Sequence, residues 1–144
     1  MVNTAVTSLA TSAALALLSK RELKRPAAAI NAVSHIVWGD KAFKKNEADW
    51  QHTLLGAALN SSAMMSWSVV GELLPRPRGF WGAARNGVLV SALAYVTDFY
   101  LVPKRLTPGF ERRLSQRSLL GTYAVLASAY AIGALLNRPR PLAA

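Results

Sequence analysis

The sequence predicts an all-α fold: a small polytopic membrane protein, with a bundle of four transmembrane helices and one short amphipathic interfacial helix. Hydrophobic residues make up 52% of the 144-residue chain and charged residues only 17%, whereas an ordinary soluble domain has roughly 25% charged residues. The charges are also clustered between long uncharged stretches. Several of these stretches approach the roughly 20 apolar residues that a helix needs to cross a bilayer.

Four such stretches are predicted to span the membrane, within a single domain that covers residues 1–144. The predicted spans are residues 2–19, 50–71, 82–102 and 118–137. Threonine and serine side chains dilute the first span, but they fall on one helical side and suit a stripe that faces other helices. A signal peptide is the alternative for this stretch. It is disfavoured because the nearest basic residues follow the stretch instead of preceding it.

The fifth apolar stretch, residues 26–39, has 14 residues and is too short to span. One helical face carries its polar and aromatic side chains, and the opposite face is aliphatic. The polar face consists of Asn31, Ser34, His35 and Trp38. This pattern predicts a short amphipathic helix at the membrane interface, or a re-entrant one.

The loops differ in their numbers of lysine and arginine residues, which predicts the orientation in the membrane. With four spans, the first and third connections share one side and hold twelve basic residues, against five on the other side. Basic loops remain on the cytoplasmic side. We therefore expect a multi-pass protein of a bacterial inner membrane with both termini in the periplasm.

Few residues could carry chemistry. The absence of cysteine excludes disulfides, thiolate metal sites and cysteine nucleophiles. His35, His52 and Asp98 are the candidates, because the predicted topology places all three at the cytoplasmic face. A carboxylate within an apolar run usually faces the bundle interior or a cavity. A structural hydrogen-bond network around Asp98 is the favoured interpretation, and an acid–base or metal site is the alternative. No ligand motif supports the alternative, so no cofactor or metal is predicted.

Small residues recur at four-residue spacing on two of the predicted spans. Ala58, Ser62 and Ser66 do so on the second span, and the fourth span pairs Ala127 with Ala131 and Ala129 with Gly133. Such patterns let helices approach closely. They indicate tight packing within the bundle or, alternatively, a surface for a homo-oligomer or a partner membrane protein.

A basic segment precedes the fourth span. Its cations are Lys104, Arg105, Arg112, Arg113 and Arg117. They could bind the headgroups of anionic lipids, or they could serve only to fix the topology. Nucleic acid is not an expected partner, because the segment adjoins the bilayer and no nucleic-acid-binding module is recognisable.

Three blocks of sequence carry a resemblance to a known group of proteins. They run from His35 to Asp40, over His52 and Thr53, and from Asp98 to Glu111. Together they resemble small inner-membrane proteins of proteobacteria for which no activity is established. The likeness covers the chain from about residue 26 onward. It implies a localisation and a fold, but no chemistry.

The small size, the small-residue helix faces and the lack of a catalytic motif favour a non-enzymatic accessory, scaffold or partner-subunit role. The alternative is a small membrane enzyme, or a metal- or lipid-binding protein, with a His/Asp site at the cytoplasmic leaflet. A transporter or channel is less well supported, because the sequence contains no broken-helix pair and no internal repeat.

Overall fold

The computed structural model describes residues 2–137, and all regular secondary structure in that range is helical. The helices are α1 (Val2–Leu23), α2 (Ala28–Val33), α3 (His35–Trp38), α4 (Leu55–Glu72), α5 (Gly79–Val96) and α6 (Gln116–Leu136). A π-helical turn, Trp50–Leu54, leads into α4, and another, Thr97–Leu101, extends α5. Two 3-10 segments, Gly39–Lys44 and Phe110–Arg112, lie in the connections. The prediction of a helical bundle is confirmed.

The four long helices pack in the order α5, α6, α1, α4, so the last helix of the chain lies between the first helix and α5. Helix α4 makes few contacts with α5, although only a short turn joins them. Close approach depends on glycine at two points. A Cβ on Gly87 of α5 would overlap the backbone of α6 at Ala127, and one on Gly56 of α4 would overlap the Ile30 carbonyl of α2.

The segment predicted as one interfacial helix differs from that expectation. It is divided at Ser34 into α2 and α3, and every residue of α2 is buried between α1, α4 and the turn at Phe110. The aliphatic Ile30 and Val33 are as inaccessible as the polar Asn31. Neighbouring elements therefore cover both faces of α2, whereas Val37 and Trp38 in α3 are exposed.

Two helices, α1 and α6, are long and apolar enough to cross a membrane, whereas the sequence predicted four spans. The helices at the other two predicted positions, α4 and α5, are present but do not reach the same hydropathy. Asn60 and several serines dilute α4, and Arg85 and Asn86 dilute the first half of α5.

Hydrogen bonds between polar side chains join the helices inside the bundle. The Asn60 amide of α4 donates to Thr11 and to Ser12 of α1, in each case at 3.2 Å. The Ser91 hydroxyl of α5 donates to the Tyr123 carbonyl of α6 at 2.6 Å. The bundle interior is therefore held by polar contacts as well as by apolar packing.

Candidate functional site

Asp98, the most unusual residue of the sequence, lies in the π-helical turn that ends α5. Its carboxylate oxygen Oδ2 accepts a hydrogen bond from the Tyr123 hydroxyl of α6 at 2.6 Å. The rings of Tyr95 and Phe99 pack edge-on against Tyr123, with centroid distances of 5.1 and 5.7 Å. The carboxylate is thus half-buried beside an aromatic cluster, and one interhelical hydrogen bond holds it there.

A small cavity adjoins this pair between α1, α4, α6 and the segment around Phe110. Its volume is about 80 Å³, enough for a few water molecules, each of which occupies about 30 Å³ in the liquid. Its polar lining comes from Asp98, Asn60, Thr11 and Thr122, and Phe110 covers one side. Neither histidine lines it. The arrangement can hydrate or bind a small polar group next to the Asp98 carboxylate.

His52 lies at the beginning of the second long helix and is buried. Its ring nitrogen Nδ1 is 3.0 Å from both carboxylate oxygens of Asp49. Asp49 also caps the helix, since its Oδ1 accepts a hydrogen bond from the His52 backbone N–H at 2.6 Å. That backbone hydrogen bond lowers the pKa of the Asp49 carboxyl below its ordinary value, more than burial raises it. His52 therefore has a structural partner within its own turn.

His35, the first residue of α3, is buried and is held by local contacts. Its Nδ1 donates to the Ala32 carbonyl at 2.9 Å, and its ring lies 5.0 Å from that of Phe43. Gly109 lies directly against it, with a backbone φ of +85°. A Cβ at residue 109 would lie 2.6 Å from the His35 ring nitrogen, so glycine is required there on steric as well as conformational grounds.

The structure brings the three candidates to the same end of the bundle but not into one site. Each is hydrogen-bonded to a different partner: His35 to Ala32, His52 to Asp49, and Asp98 to Tyr123. Over residues 2–137, no three His, Asp or Glu side chains are grouped as metal ligands would be. The geometry around Asp98 agrees with a hydrogen-bond network between helices, and the proposed three-residue site is not assembled.

Asn31 is a central residue whose role the sequence did not reveal. Its side-chain amide donates to the backbone carbonyls of Lys45 and Glu47 at 3.2 and 2.8 Å. Its oxygen accepts a hydrogen bond from the Thr53 hydroxyl at 2.6 Å. One fully buried side chain thus joins α2, the long loop and the start of the α4 helix. The sequence placed Asn31 on the polar face of its segment but gave no indication of these partners.

The basic segment divides into two groups. Arg112 forms an ion pair with Asp40 at 2.9 Å and stacks 4.0 Å from the Phe43 ring, while Arg113 bonds the Phe43 carbonyl and Asn46. These two arginines tie the third connection to the first. The second group consists of exposed cations whose side chains form no hydrogen bond or ion pair in the described part of the chain: Lys104, Arg105 and Arg117.

No protein-family model, curated protein or solved structure matches this chain.

Proposed function

We propose that this chain is a four-span protein of a bacterial inner membrane that acts as a non-enzymatic scaffold or partner subunit and assembles with a second copy of itself. The observation that carries the proposal is the distribution of polarity across the bundle. All four long helices expose large apolar side chains and bury polar ones. This is the opposite of what water as a solvent favours.

The outer surface is the apolar one. Exposed apolar side chains on the four helices include Leu9, Leu17, Met65, Val69, Val88, Leu93, Leu120 and Ile132. Soluble monomers rarely expose contiguous apolar patches larger than a few hundred Å². The inward-facing polar residues include Thr7, Thr11, Asn60, Ser68, Asn86, Ser91, Ser118 and Thr122. Polar side chains that face one another between helices are typical of membrane bundles.

This distribution of polarity supports assigning α4 and α5 to the membrane as well, although their hydropathy alone does not identify them as spans. Each has 18 residues, and the π-helical turn attached to each adds 5. At 1.5 Å per residue each run is about 34 Å long, which exceeds the roughly 30 Å of a hydrocarbon core. Arg85 lies near the loop end of α5, from where a long side chain can reach the headgroups.

The small-residue faces of α4 and α6 differ in their exposure, and only the face on α4 supports the assembly role. On α6, Ala129, Ala131 and Gly133 are buried within the bundle, where they serve internal packing. On α4, the small face consists of Ala58, Ser62 and Ser66, and all three are exposed. The Ser62 and Ser66 hydroxyls donate to carbonyls one turn back, at 2.9 and 3.1 Å. The α4 face therefore has no unsatisfied donors and leaves room for another helix.

A second copy fits this α4 face better than an unrelated helix. Copies of one chain enter a membrane in the same orientation, so a two-fold axis along the bilayer normal pairs α4 with α4 in parallel. A two-fold contact places the same patch on both subunits. Parallel pairing through small residues at four-residue spacing is an established geometry for membrane helix dimers.

The charge distribution supports the predicted orientation and an interaction with anionic lipids. The unpaired Lys104, Arg105 and Arg117 lie at the same end of the bundle as the basic first connection. Each cation close to an anionic membrane surface contributes about 1 kcal/mol. We place this end at the cytoplasmic leaflet, with both chain termini on the other side.

The oligomeric state of the purified chain tests the proposal. The parent protein, S62L and S128L would be extracted in a mild detergent and weighed by native mass spectrometry. Ser128 is the matched control, because it is exposed on α6 and bonds the carbonyl one turn back in the same way. We expect dimers for the parent and S128L and monomers for S62L. A monomeric parent would contradict the assembly role, and recovery of the chain without detergent would contradict the membrane assignment.

A further inference from the structure

A second, larger cleft lies at the end of the bundle opposite Asp98. It has a volume of about 520 Å³, within the roughly 300–1,000 Å³ range of small-molecule sites. The polar residues that line it are Asn3, Glu72, Arg76, Arg78, Asn86, Tyr130 and Asn137. They come from α1, α4, α5, α6 and the turn between α4 and α5, so the whole bundle must assemble to form the cleft.

The turn presents two cations to this cleft in a fixed arrangement. Pro75 and Pro77 alternate with Arg76 and Arg78, and proline restricts the backbone to φ near −65°. The Asn86 amide donates to the Pro75 carbonyl at 2.9 Å, which anchors the turn to α5. Within residues 2–137 neither arginine has a hydrogen bond or ion pair. Two guanidinium groups therefore remain available to an anion.

The N-terminus of α5 adds to the positive potential at the cleft. Gly79, the first residue of this 18-residue helix, lines the cleft, and no side chain caps the helix there. Free backbone N–H groups at a helix N-terminus favour negative charge. Together with Arg76 and Arg78 they suit a phosphate group, which arginine recognises through two parallel hydrogen bonds.

The opposite wall of the cleft has the complementary character. The Glu72 carboxylate is exposed and forms no ion pair among the described residues. Asn3 is buried, and its Oδ1 packs against Gly133 of α6, so this residue shapes the wall without offering a group to a ligand. The Glu72 carboxylate therefore suits a cationic group that carries N–H donors.

We propose that this cleft binds a zwitterionic phosphate ester of the phosphoethanolamine class. The phosphate is held by Arg76, Arg78 and the start of α5, and the ammonium is held by Glu72. The headgroup of a membrane lipid is the favoured source, because strongly exposed Leu73, Phe80 and Trp81 surround the turn at the depth of a bilayer interface. In this respect the inference rests on the proposed membrane location.

Lipid binding to the intact purified protein tests the site. Native mass spectrometry would compare phosphatidylethanolamine, phosphatidylglycerol and phosphatidylcholine on the parent, R76Q/R78Q, E72Q and the control K104Q/R105Q. The control removes two exposed cations from the other end of the bundle. All exchanged residues are exposed, and matching melting temperatures would verify that the variants are folded.

The proposal predicts a different loss of lipid binding for each variant. R76Q/R78Q should weaken the binding of phosphatidylethanolamine and phosphatidylglycerol by about tenfold or more, as expected for losing charge-assisted hydrogen bonds. E72Q should weaken only phosphatidylethanolamine. The parent should prefer phosphatidylethanolamine to phosphatidylcholine, whose quaternary ammonium has no N–H. Binding equal for all three lipids, or unchanged in R76Q/R78Q, would overturn the proposal.

A parallel titration with soluble phosphoethanolamine separates the two sources of the ligand. Weak binding of the soluble compound beside tight binding of the lipid supports the lipid headgroup. Tight binding of the soluble compound that is lost in R76Q/R78Q assigns the cleft to a free ligand instead. The soluble titration does not depend on the bilayer, so failure of the cleft and failure of the membrane assignment can be told apart.

Discussion

The Tyr123 hydroxyl on α6 donates a 2.6 Å hydrogen bond to the Asp98 carboxylate at the end of α5. This contact joins the two helices that pack most extensively against each other. It explains how an acidic residue is accommodated in an apolar stretch of sequence: the carboxylate has a donor within the bundle, and it lines a small cavity together with Asn60, Thr11 and Thr122.

A structural role for this pair predicts an order of stability among variants. Tyr123→Phe should reduce the free energy of unfolding by about 1 kcal/mol, since hydrogen bonds between membrane helices contribute about 0.6–1.7 kcal/mol. Asp98→Asn should have a smaller effect, because the amide oxygen still accepts the bond. Asp98→Leu should be the most destabilising, since it strands the tyrosine hydroxyl. Thermal unfolding in detergent measures all three. Stoichiometric metal in the parent that disappears in a fully stable Asp98→Asn variant would instead indicate a chemical role.

The predicted orientation can be tested with topology reporters. Alkaline phosphatase, which is active only in the periplasm, should be active when fused after residue 144 and inactive when fused near residue 113. The reason is the excess of basic residues in the first and third connections, twelve against five. A fluorescent protein that folds only in the cytoplasm should give the reverse pattern. Cytoplasmic activity of the C-terminal fusion would show that the orientation is inverted.

Gly109 and Gly79 form a matched pair for the packing around His35. Both have a positive φ, of +85° and +78°, but only Gly109 has neighbours that a Cβ would meet. Gly79→Ala should lose about 1–2 kcal/mol of stability, the cost of left-handed backbone for an L-residue. Gly109→Ala should lose at least about 1 kcal/mol more, because its Cβ would lie 2.6 Å from both the Ala32 carbonyl and the His35 ring. Equal losses would argue against the described contact.

The Asp49 cap makes stability depend on pH in a defined direction. Its hydrogen bond from the His52 N–H lowers the folded-state pKa below the ordinary value of 3.8. The stabilisation is therefore fully present above that value and is lost as the pH falls through the lower folded-state value. The melting temperature of the parent should fall on acidification below about pH 4, and that of Asp49→Asn should fall less, since an amide caps the helix without titrating. Parallel pH profiles for the two proteins would contradict this assignment.

The helices at 50–71 and 118–137 were well predicted, because the uncharged stretches that marked them coincide closely with the helical runs. The predicted segments 50–71 and 118–137 correspond to helical runs that begin at Trp50 and Gln116, directly after the capping residues Asp49 and Ser115. The first helix was predicted too short. Charge marks the end of a membrane span but not of a helix, and lysine, arginine and glutamate continue α1 to Leu23 without penalty.

The candidate site was only partly predictable. Chain direction determines at which end of the bundle a residue lies, but the packing of the helices determines which residues lie side by side. Chain direction alone places His52 and Asp98 at the same end. Their lateral separation depends on the packing order of the helices, which leaves α4 and α5 poorly joined and gives each histidine a partner of its own. Similarly, Asn31 shared a face with His35 in the sequence pattern, but its bonds depend on a loop 14 and 16 residues further along.

The position of α6 between α1 and α5 has a consequence for biogenesis. Helix α1 is synthesised before α6, yet the C-terminal end of α1 finds its hydrogen-bond partners at the start of α6. There, Ser115 and Ser118 donate to the Glu22 carboxylate at 2.5–2.8 Å. Ser91 of α5 likewise finds its acceptor only on α6. A chain whose synthesis stops before residue 116 therefore lacks the Ser118 donor to Glu22 and the acceptor of Ser91. We expect the synthesis of α6 to complete the assembly of the bundle, and products truncated before it to be less stable than the full chain.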